Sequence, residues 1–237
     1  MTERRAFVYG TERYDYLLSR SSRKTLAISV LPDMTIEVVA PIEAAIAVIE
    51  GRLHRRATWI RRQLQYFAQF HPRTLPRKYV AGETHFYLGR RYRLKILQAI
   101  QQQVKLKRGS IELYAHRPSR SDLVEAQLED WYKGRAREQF TARLAACAER
   151  FPDPQAIMPT GVIVRQMSAR WGSMSSGGRL VLNRRLIQAA PHEIDYVIVH
   201  ELCHRLHHNH GPEFYKLLTR IMPDWQKRKN SLERRLV

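Results

Sequence analysis

Three segments within the first 40 residues are rich in β-branched and aromatic side chains, a pattern that is typical of strands. It predicts strands over Tyr14–Ser19, Thr25–Leu31 and Thr35–Ala40. Apolar residues spaced three or four positions apart then predict one long helix from about Ile42 to Phe70. His71–Pro76 contains two prolines and is interpreted as a connector.

The middle of the chain returns to the strand pattern and ends in a second long helix. Residues 78–114 predict several strands, the last two of which form a hairpin at Arg108–Ser110. Ser121 and Asp122 can begin a helix that continues to about Arg150.

The last third of the chain predicts two strands and three helices. The strands are expected near Val162–Gln166 and Leu180–Asn183, and the helices over Pro191–His207, Pro212–Ile221 and Asp224–Leu236. No internal repeat is visible. We therefore predict an α+β protein with a mostly β N-terminal module that contains one long helix, residues 1–118, and a second α+β module, residues 119–237, that holds the chemistry.

Composition indicates a folded protein with a strong positive charge. Hydrophobic residues make up 44% of the 237 positions, enough for a substantial core. Lys and Arg number 41 against 22 Asp and Glu, which gives a net charge of +19. Such an excess attracts DNA or RNA, an anionic membrane surface or acidic protein segments, but it equally fits a solvated, arginine-rich surface. Charge alone leaves these partners open.

The chain shows no sign of export or membrane insertion. Residues 1–10 carry charges without an apolar signal segment behind them, and no run approaches the about 20 apolar residues of a membrane-spanning helix. Cys147 and Cys203 form no disulfide framework, as expected in a reducing compartment. These features predict a cytoplasmic protein that does not enter the membrane, and they leave its oligomeric state open.

Residues 199–204 contain the pattern H-E-x-x-H within an apolar segment. His200 and His204 are expected one turn apart on the same helix face, so both imidazoles can bind one ion. Glu201 is rotated by about 100° from His200 and can reach a water molecule on that ion. Burying these side chains without partners would destabilise the fold by several kcal/mol, and a bound cation offsets that cost. Zinc in this setting acidifies the water, and Glu201 accepts its proton.

A catalytic zinc ion usually takes a third protein ligand, and three downstream histidines are available. On a continued helix His207 would stack above His204 and His208 would point further round, so neither completes a tetrahedron well. His210 requires the helix to stop, and the turn-forming residues in Asn209–Pro212 supply that stop. A ligand from this turn approaches the ion from a third direction, which favours His210.

Two simpler interpretations compete with a catalytic site. Five of the ten histidines fall within residues 200–210, so the segment could be a His-rich tract that binds metal adventitiously. The segment could also be an ordinary surface helix, although its apolar neighbours favour burial. Cys203 is interpreted as a small packing residue and not as a ligand, because three histidines suffice.

Several motifs are similar to those of the YgjP-like and SprT-like zinc metallopeptidases. The shared residues are Arg170–Ser173, Leu182-Asn183, Ile194–Val197 before the H-E-x-x-H pattern, Asn209–Phe214 and, in the front half, Arg20–Lys24, Val39–Pro41, Trp59-Ile60, Gly82-Glu83 and Tyr87–Gly89. The resemblance covers nearly the whole chain. It implies a zincin-like second module, zinc on His200, His204 and His210, Glu201 as general base, and a protein or peptide substrate.

In zincin-like peptidases the strand before the active helix presents its edge to the substrate backbone. The resemblance implies that Leu180–Asn183 adds the substrate as an extra strand. We interpret Arg170 and Trp171 as core packing with a local salt bridge, in preference to direct catalysis. Tyr215 and His208 stay open as donors to the oxyanion.

Two other functions are compatible with the same residues. YbeY-type endoribonucleases carry histidines at the spacing of His200, His204 and His210 but lack a glutamate at the position of Glu201. Glu201 therefore favours a peptidase over a metal-dependent nuclease. The other alternative is a nucleic-acid-binding module whose zinc is only structural, although structural zinc sites are usually cysteine-rich and closed.

Overall fold

The computed structural model describes residues 2–31, 33–68, 77–168 and 170–236, and its elements confirm a mixed α+β protein. The chain forms two compact units, residues 1–73 and 74–236. The division predicted near residue 118 falls inside the second unit, because the strands before it share a core with the helix after it. The predicted connector His71–Pro76 and the predicted helix end at Phe70 lie outside the described residues.

The first unit is a four-stranded sheet with one helix. Its elements are β1 Thr2–Tyr9, β2 Glu12–Ser21, β3 Ala27–Val30, β4 Ile36–Pro41 and α1 Ile46–Ala68. The strand order is β1-β2-β4-β3, in which β2 and β4 are parallel and the other pairs antiparallel. The apolar face of α1 packs on the sheet through Ile49, Leu53, Ala57 and Ile60. The sequence interpretation missed β1, most of whose side chains are exposed.

The second unit begins with another four-stranded sheet, followed by a long helix. Its elements are β5 Thr84–Tyr87, β6 Arg90–Gln98, β7 Gln103–Lys107, β8 Ser110–Ala115 and α2 Ser121–Ala148. The predicted hairpin is confirmed as β7 and β8, which pair antiparallel. Leu94, Ile111 and Leu113 of this sheet share a core with Leu128 and Tyr132 of α2.

The two sheets have the same topology. The second has the order β5-β6-β8-β7, its β6 and β8 are parallel, and its other pairs are antiparallel. The inward residues of the equivalent strands also correspond, with Ile36, Val38 and Ala40 of β4 matched by Ile111, Leu113 and Ala115 of β8. The chain therefore contains two ββββα arrangements of the same topology, although the amino-acid sequence shows no internal repeat. The amino-acid sequence does not reveal this arrangement, because the two copies share the apolar character of their inward positions rather than the same residues.

The rest of the second unit contains a three-stranded sheet, four α-helices and a short 3-10 helix. The elements are α3 Pro154–Ile157, β9 Gly161–Arg165, β10 Gly172–Met174, β11 Arg179–Asn183, the 3-10 helix Arg184–Gln188, α4 Pro191–Cys203, α5 Pro212–Ile221 and α6 Trp225–Leu236. The strand order is β10-β11-β9, with β10 antiparallel and β9 parallel to β11. The sequence interpretation missed β10, and the likeness of this module to zincins stays a prediction.

Helix α4 is the buried centre of the second unit. All but three of its residues are buried, as the apolar pattern predicted. On α2, the Arg143 guanidinium donates two hydrogen bonds, of 2.7 and 2.8 Å, to the Asp195 carboxylate of α4. Within the part of the chain that the structure describes, no helix combines the length and the apolar character that a membrane crossing requires.

Candidate metal centre

Three histidines converge where α4 ends. Nε2 of His210 lies 3.0 Å from Nε2 of His200 and 3.2 Å from Nε2 of His204. Among the described residues, the group that could hold a metal ion contains these three histidines and neither His207 nor His208. The structure thus brings together the three histidines that the sequence analysis selected.

The turn after α4 produces this convergence. The helix ends at Cys203 and not at His207 as predicted, since the next amides bond three residues back, His204 to Glu201 and Arg205 to Leu202. The chain then turns, and α5 begins at Pro212. Hydrogen bonds that span three residues are common at helix ends, where they tighten the last turn. Here they allow His210 to fold back over the last turn of α4.

The buried ring of Phe214 supports all three imidazoles. Its centroid lies 5.0 Å from the ring of His200, 4.6 Å from that of His204 and 4.7 Å from that of His210. Phe214 is fully buried on the first turn of α5. Because aromatic packing of this kind restricts ring rotation, the three Nε2 atoms are held facing one another.

The spacing of the three nitrogens fits a metal ion. A tetrahedral zinc site with Zn–N bonds of about 2.0–2.1 Å separates its nitrogens by roughly 3.3 Å. The Nδ1 atom of His204 lies 2.9 Å from the carbonyl oxygen of His207, which can only accept a hydrogen bond. Because a neutral imidazole carries one proton, this bond places the proton on Nδ1 and leaves the Nε2 lone pair directed at the centre.

The protonation state of the histidines also suits a metal site. Burial, with smaller contributions from His210, His204 and Lys229, lowers the pKa of His200 to about 3. Burial, together with His204 and Lys229, also lowers the pKa of His210. Both rings are therefore neutral at physiological pH, the form that binds metal.

Glu201 lies buried beside the histidines. Burial raises the pKa of its carboxyl to about 7, against the opposing effects of a backbone hydrogen bond from Met174 and the charge of Arg170. A carboxyl group with a pKa near the operating pH can both accept and return a proton.

Gly172 on β10 makes room for this carboxyl group. A Cβ added at Gly172 would lie 2.7 Å from both Cγ and Oε1 of Glu201, closer than real Cβ contacts come. The sequence analysis included Gly172 in a motif but assigned it no role. No local spacing rule indicates that role, because residues 172 and 201 meet only in the folded chain.

The segment before β10 is held by a buried asparagine. The Asn183 Nδ2 donates to the carbonyl oxygens of Met167, at 2.8 Å, and of Arg170, at 2.9 Å. Trp171 packs against the core, as predicted, and the guanidinium of Arg185 lies 5.9 Å from its ring. Arg170 itself is exposed, so the prediction that it packs in the core is wrong.

The remaining candidates also lie near the centre. His208 lines the cleft, and the ring of Tyr215 lies 6.2 Å from that of His210, so both stay candidate oxyanion donors. Cys203 is fully buried, and burial raises the pKa of its thiol to about 12, which agrees with a packing role.

The centre opens into a cleft of about 570 Å³. It is lined by β10, by Tyr196 and Val197 of α4 and by Glu233 of α6. Glu233 was not selected from the sequence, although its spacing from Trp225 and Leu232 is that of one helix face. Because β10 and not β11 is the edge strand, the prediction that Leu180–Asn183 offers a free edge is wrong.

Three imidazoles around one point, with a buried carboxyl group beside them, form the donor set of a candidate metal centre. A family model that describes the YgjP-like metallopeptidase domain matches residues 24–235. The chain therefore belongs to the YgjP-like metallopeptidase family. Membership implies a metal ion and a protein or peptide substrate. No curated protein and no solved structure matches the chain.

Proposed function

We propose that this metallopeptidase is zinc-dependent, with His200, His204 and His210 as the ligands and Glu201 as the general base. This proposal is supported by the three imidazole Nε2 atoms that converge beside a buried glutamate. A donor set of three nitrogens is typical of catalytic zinc, which keeps one position for water or substrate.

The chemistry divides between the ion and the protein. When bound, zinc supplies a Lewis acid that acidifies a water molecule and polarises a peptide carbonyl. Glu201 accepts the proton of the attacking water and then delivers it to the amine of the leaving product. Gly172 keeps β10 close enough to exclude bulk water from the carboxyl group and still leaves the carboxyl its place.

The substrate is proposed to bind along β10. This strand is the edge of its sheet, and its residues Gly172, Ser173 and Met174 line the cleft. An extended peptide that adds to this edge by backbone hydrogen bonds would pass directly over Glu201. Because backbone hydrogen bonds do not depend on side-chain identity, this mode of binding gives affinity with little sequence preference. Selectivity would then come from the side chains that line the rest of the cleft.

Substitution of Glu201 tests the assignment of the base. Glu201→Gln should retain the bound zinc, measured by inductively coupled plasma mass spectrometry, and lose cleavage of a mixed peptide library. Glu138→Gln is the matched control, because Glu138 is exposed on α2 and away from the cleft. Undiminished cleavage by Glu201→Gln would overturn the role of Glu201.

Association with nucleic acid is a second candidate function, and one feature favours it. A groove of about 1000 Å³ on the second unit is lined by Arg90, Arg91, Lys227, Arg234 and Arg235, together with Phe86. Lysines and arginines in such a groove neutralise phosphates, and an aromatic ring offers a stacking surface. Single-stranded oligonucleotides should bind with an affinity that falls steeply with salt.

The control for this second candidate uses charge reversal. Arg91→Glu with Lys227→Glu should weaken oligonucleotide binding, whereas Arg137→Glu, an exposed position on α2 outside the groove, should change it little. Absence of binding at low salt would remove nucleic acid as a partner.

A further inference from the structure

Helix α6 presents a buried carboxyl group to the cleft. Glu233 is only 9% exposed and lines the same cleft as His200 and Glu201. Its Oε2 atom is fully buried and has no hydrogen-bond partner in the part of the chain that the structure describes. A buried, unsatisfied carboxyl oxygen destabilises a fold, so its presence in the cleft calls for a ligand that satisfies it.

The position of Glu233 is fixed by neighbouring contacts. The Arg235 Nε donates to both carboxylate oxygens of Glu193, at 3.2 and 3.0 Å, and the Ser231 hydroxyl lies 2.6 Å from Glu193 Oε1. Glu193 in turn accepts the backbone N–H of Ala190 at 2.7 Å. These bonds attach the C-terminal half of α6 to the first turn of α4. They therefore fix the α6 backbone on either side of Glu233.

The face of α6 that carries Glu233 is the one turned towards the cleft. Ser231 and Arg235 bond to Glu193, and a residue two positions from each of them points to the other side of the helix. Glu233 lies on that other side and lines the cleft together with His200 and Glu201.

The carboxyl group of Glu233 can hold a cation. Burial raises its pKa. A positively charged group that binds beside it would favour the ionised carboxylate, and would therefore be held more tightly than a neutral group of the same size.

We propose that Glu233 forms a subsite that selects substrates with a lysine or arginine side chain near the cleaved bond. The same cleft is lined by Trp171, Tyr196 and Val197, which can cover the methylene stem of such a side chain while the carboxylate holds its charged end. The inference rests on the proposed peptidase function and adds a substrate class to it.

The test compares three peptides that differ at one position. Each carries lysine, norleucine or glutamate there, and the position is moved across the residues flanking the cleaved bond, which mass spectrometry identifies. At one position the zinc-loaded protein should cleave the lysine peptide with a kcat/KM about tenfold or more above that of the norleucine peptide, as expected for one charge-assisted contact. The ratio of the two values is independent of the fraction of active protein.

Variants of Glu233 should change that ratio. Glu233→Gln should bring it close to one, Glu233→Asp should keep part of it, and Glu233→Lys should favour the glutamate peptide. Glu138→Gln should leave it as in the unmodified protein. Equal cleavage of all three peptides by the unmodified protein would overturn the subsite and leave the peptidase function standing. A preference for the lysine peptide that persists in Glu233→Gln would have the same meaning.

A binding measurement separates the subsite from the peptidase function. Zinc-loaded Glu201→Gln should bind the lysine peptide more tightly than the norleucine peptide, measured by fluorescence anisotropy, and adding Glu233→Gln should remove the difference. If no peptide is cleaved but this selective binding is present, the peptidase function fails and the subsite stands. If the two peptides bind equally in Glu201→Gln, the subsite is overturned.

Discussion

Replacing Gly172 with alanine should slow peptide cleavage by about a hundredfold, because it displaces the carboxyl group of Glu201. The added Cβ would lie 2.7 Å from Cγ and Oε1 of Glu201. Carbon atoms in ordinary contact are about 3.5–4.0 Å apart, so one of the two groups must retreat by roughly 1 Å. A displacement of that size at a reacting group typically costs about a hundredfold in rate.

The side chain of Glu201 is the part that should move. The backbone of β10 is paired with β11, and the Asn183 N–H donates to the carbonyl oxygen of Trp171 at 2.8 Å. The three histidines lie on α4 and in the turn after it, so the substitution leaves their spacing alone. We therefore expect a fall in kcat with little change in KM and an unchanged zinc content.

The assay is steady-state cleavage of one library peptide, with zinc measured on the same sample. Gly161→Ala is the matched control, because Gly161 lies on β9 of the same sheet and has nothing within 4 Å of an added Cβ. It should retain the activity of the unmodified protein. A normal kcat in Gly172→Ala would refute the steric argument, and loss of zinc would show that the substitution disrupts the whole centre.

Three further predictions concern the metal, a buried ion pair and pH. Zinc in hundredfold excess over its Kd should stabilise chelator-treated protein by about 2.7 kcal/mol, which is seen as a rise in Tm. The rise in Tm should be much smaller in His210→Ala, and an equal rise would argue against His210 as a ligand. Asp195→Asn removes the negative charge that pairs with Arg143 and one of the two oxygens that accept its bonds of 2.7 and 2.8 Å. The free energy of unfolding in urea should fall by about 3 kcal/mol, and an unchanged value would contradict this. Burial lowers the pKa of His85, despite Glu83 and with Arg77 adding to the effect. The folded state therefore binds this proton less well than the unfolded state, and the free energy of unfolding should fall as the pH drops below about 6.5. The fall should be less steep in His85→Gln. An equal pH dependence of the free energy of unfolding in the two proteins, measured by urea titrations at several pH values, would contradict this.

Features that depend on neighbours along the chain could be predicted from the amino-acid sequence alone. His200 and His204 lie one helical turn apart, and an apolar segment around them predicts a buried helix. The turn at Asn209–Pro212 was also readable, since glycine and proline end one helix and begin another. These local rules were enough to select the three histidines that converge and the glutamate beside them.

Features that join distant segments became visible only in the folded chain. Strand β10 has three residues, too few for a recognisable pattern, and its place at the sheet edge follows from pairing with β11. The contact of Gly172 with Glu201 and the place of Glu233 in the cleft depend on how β10 and α6 pack around α4. The repeated ββββα arrangement was hidden for a related reason, because strand order is set by pairing between separate segments, and no spacing along the chain records it.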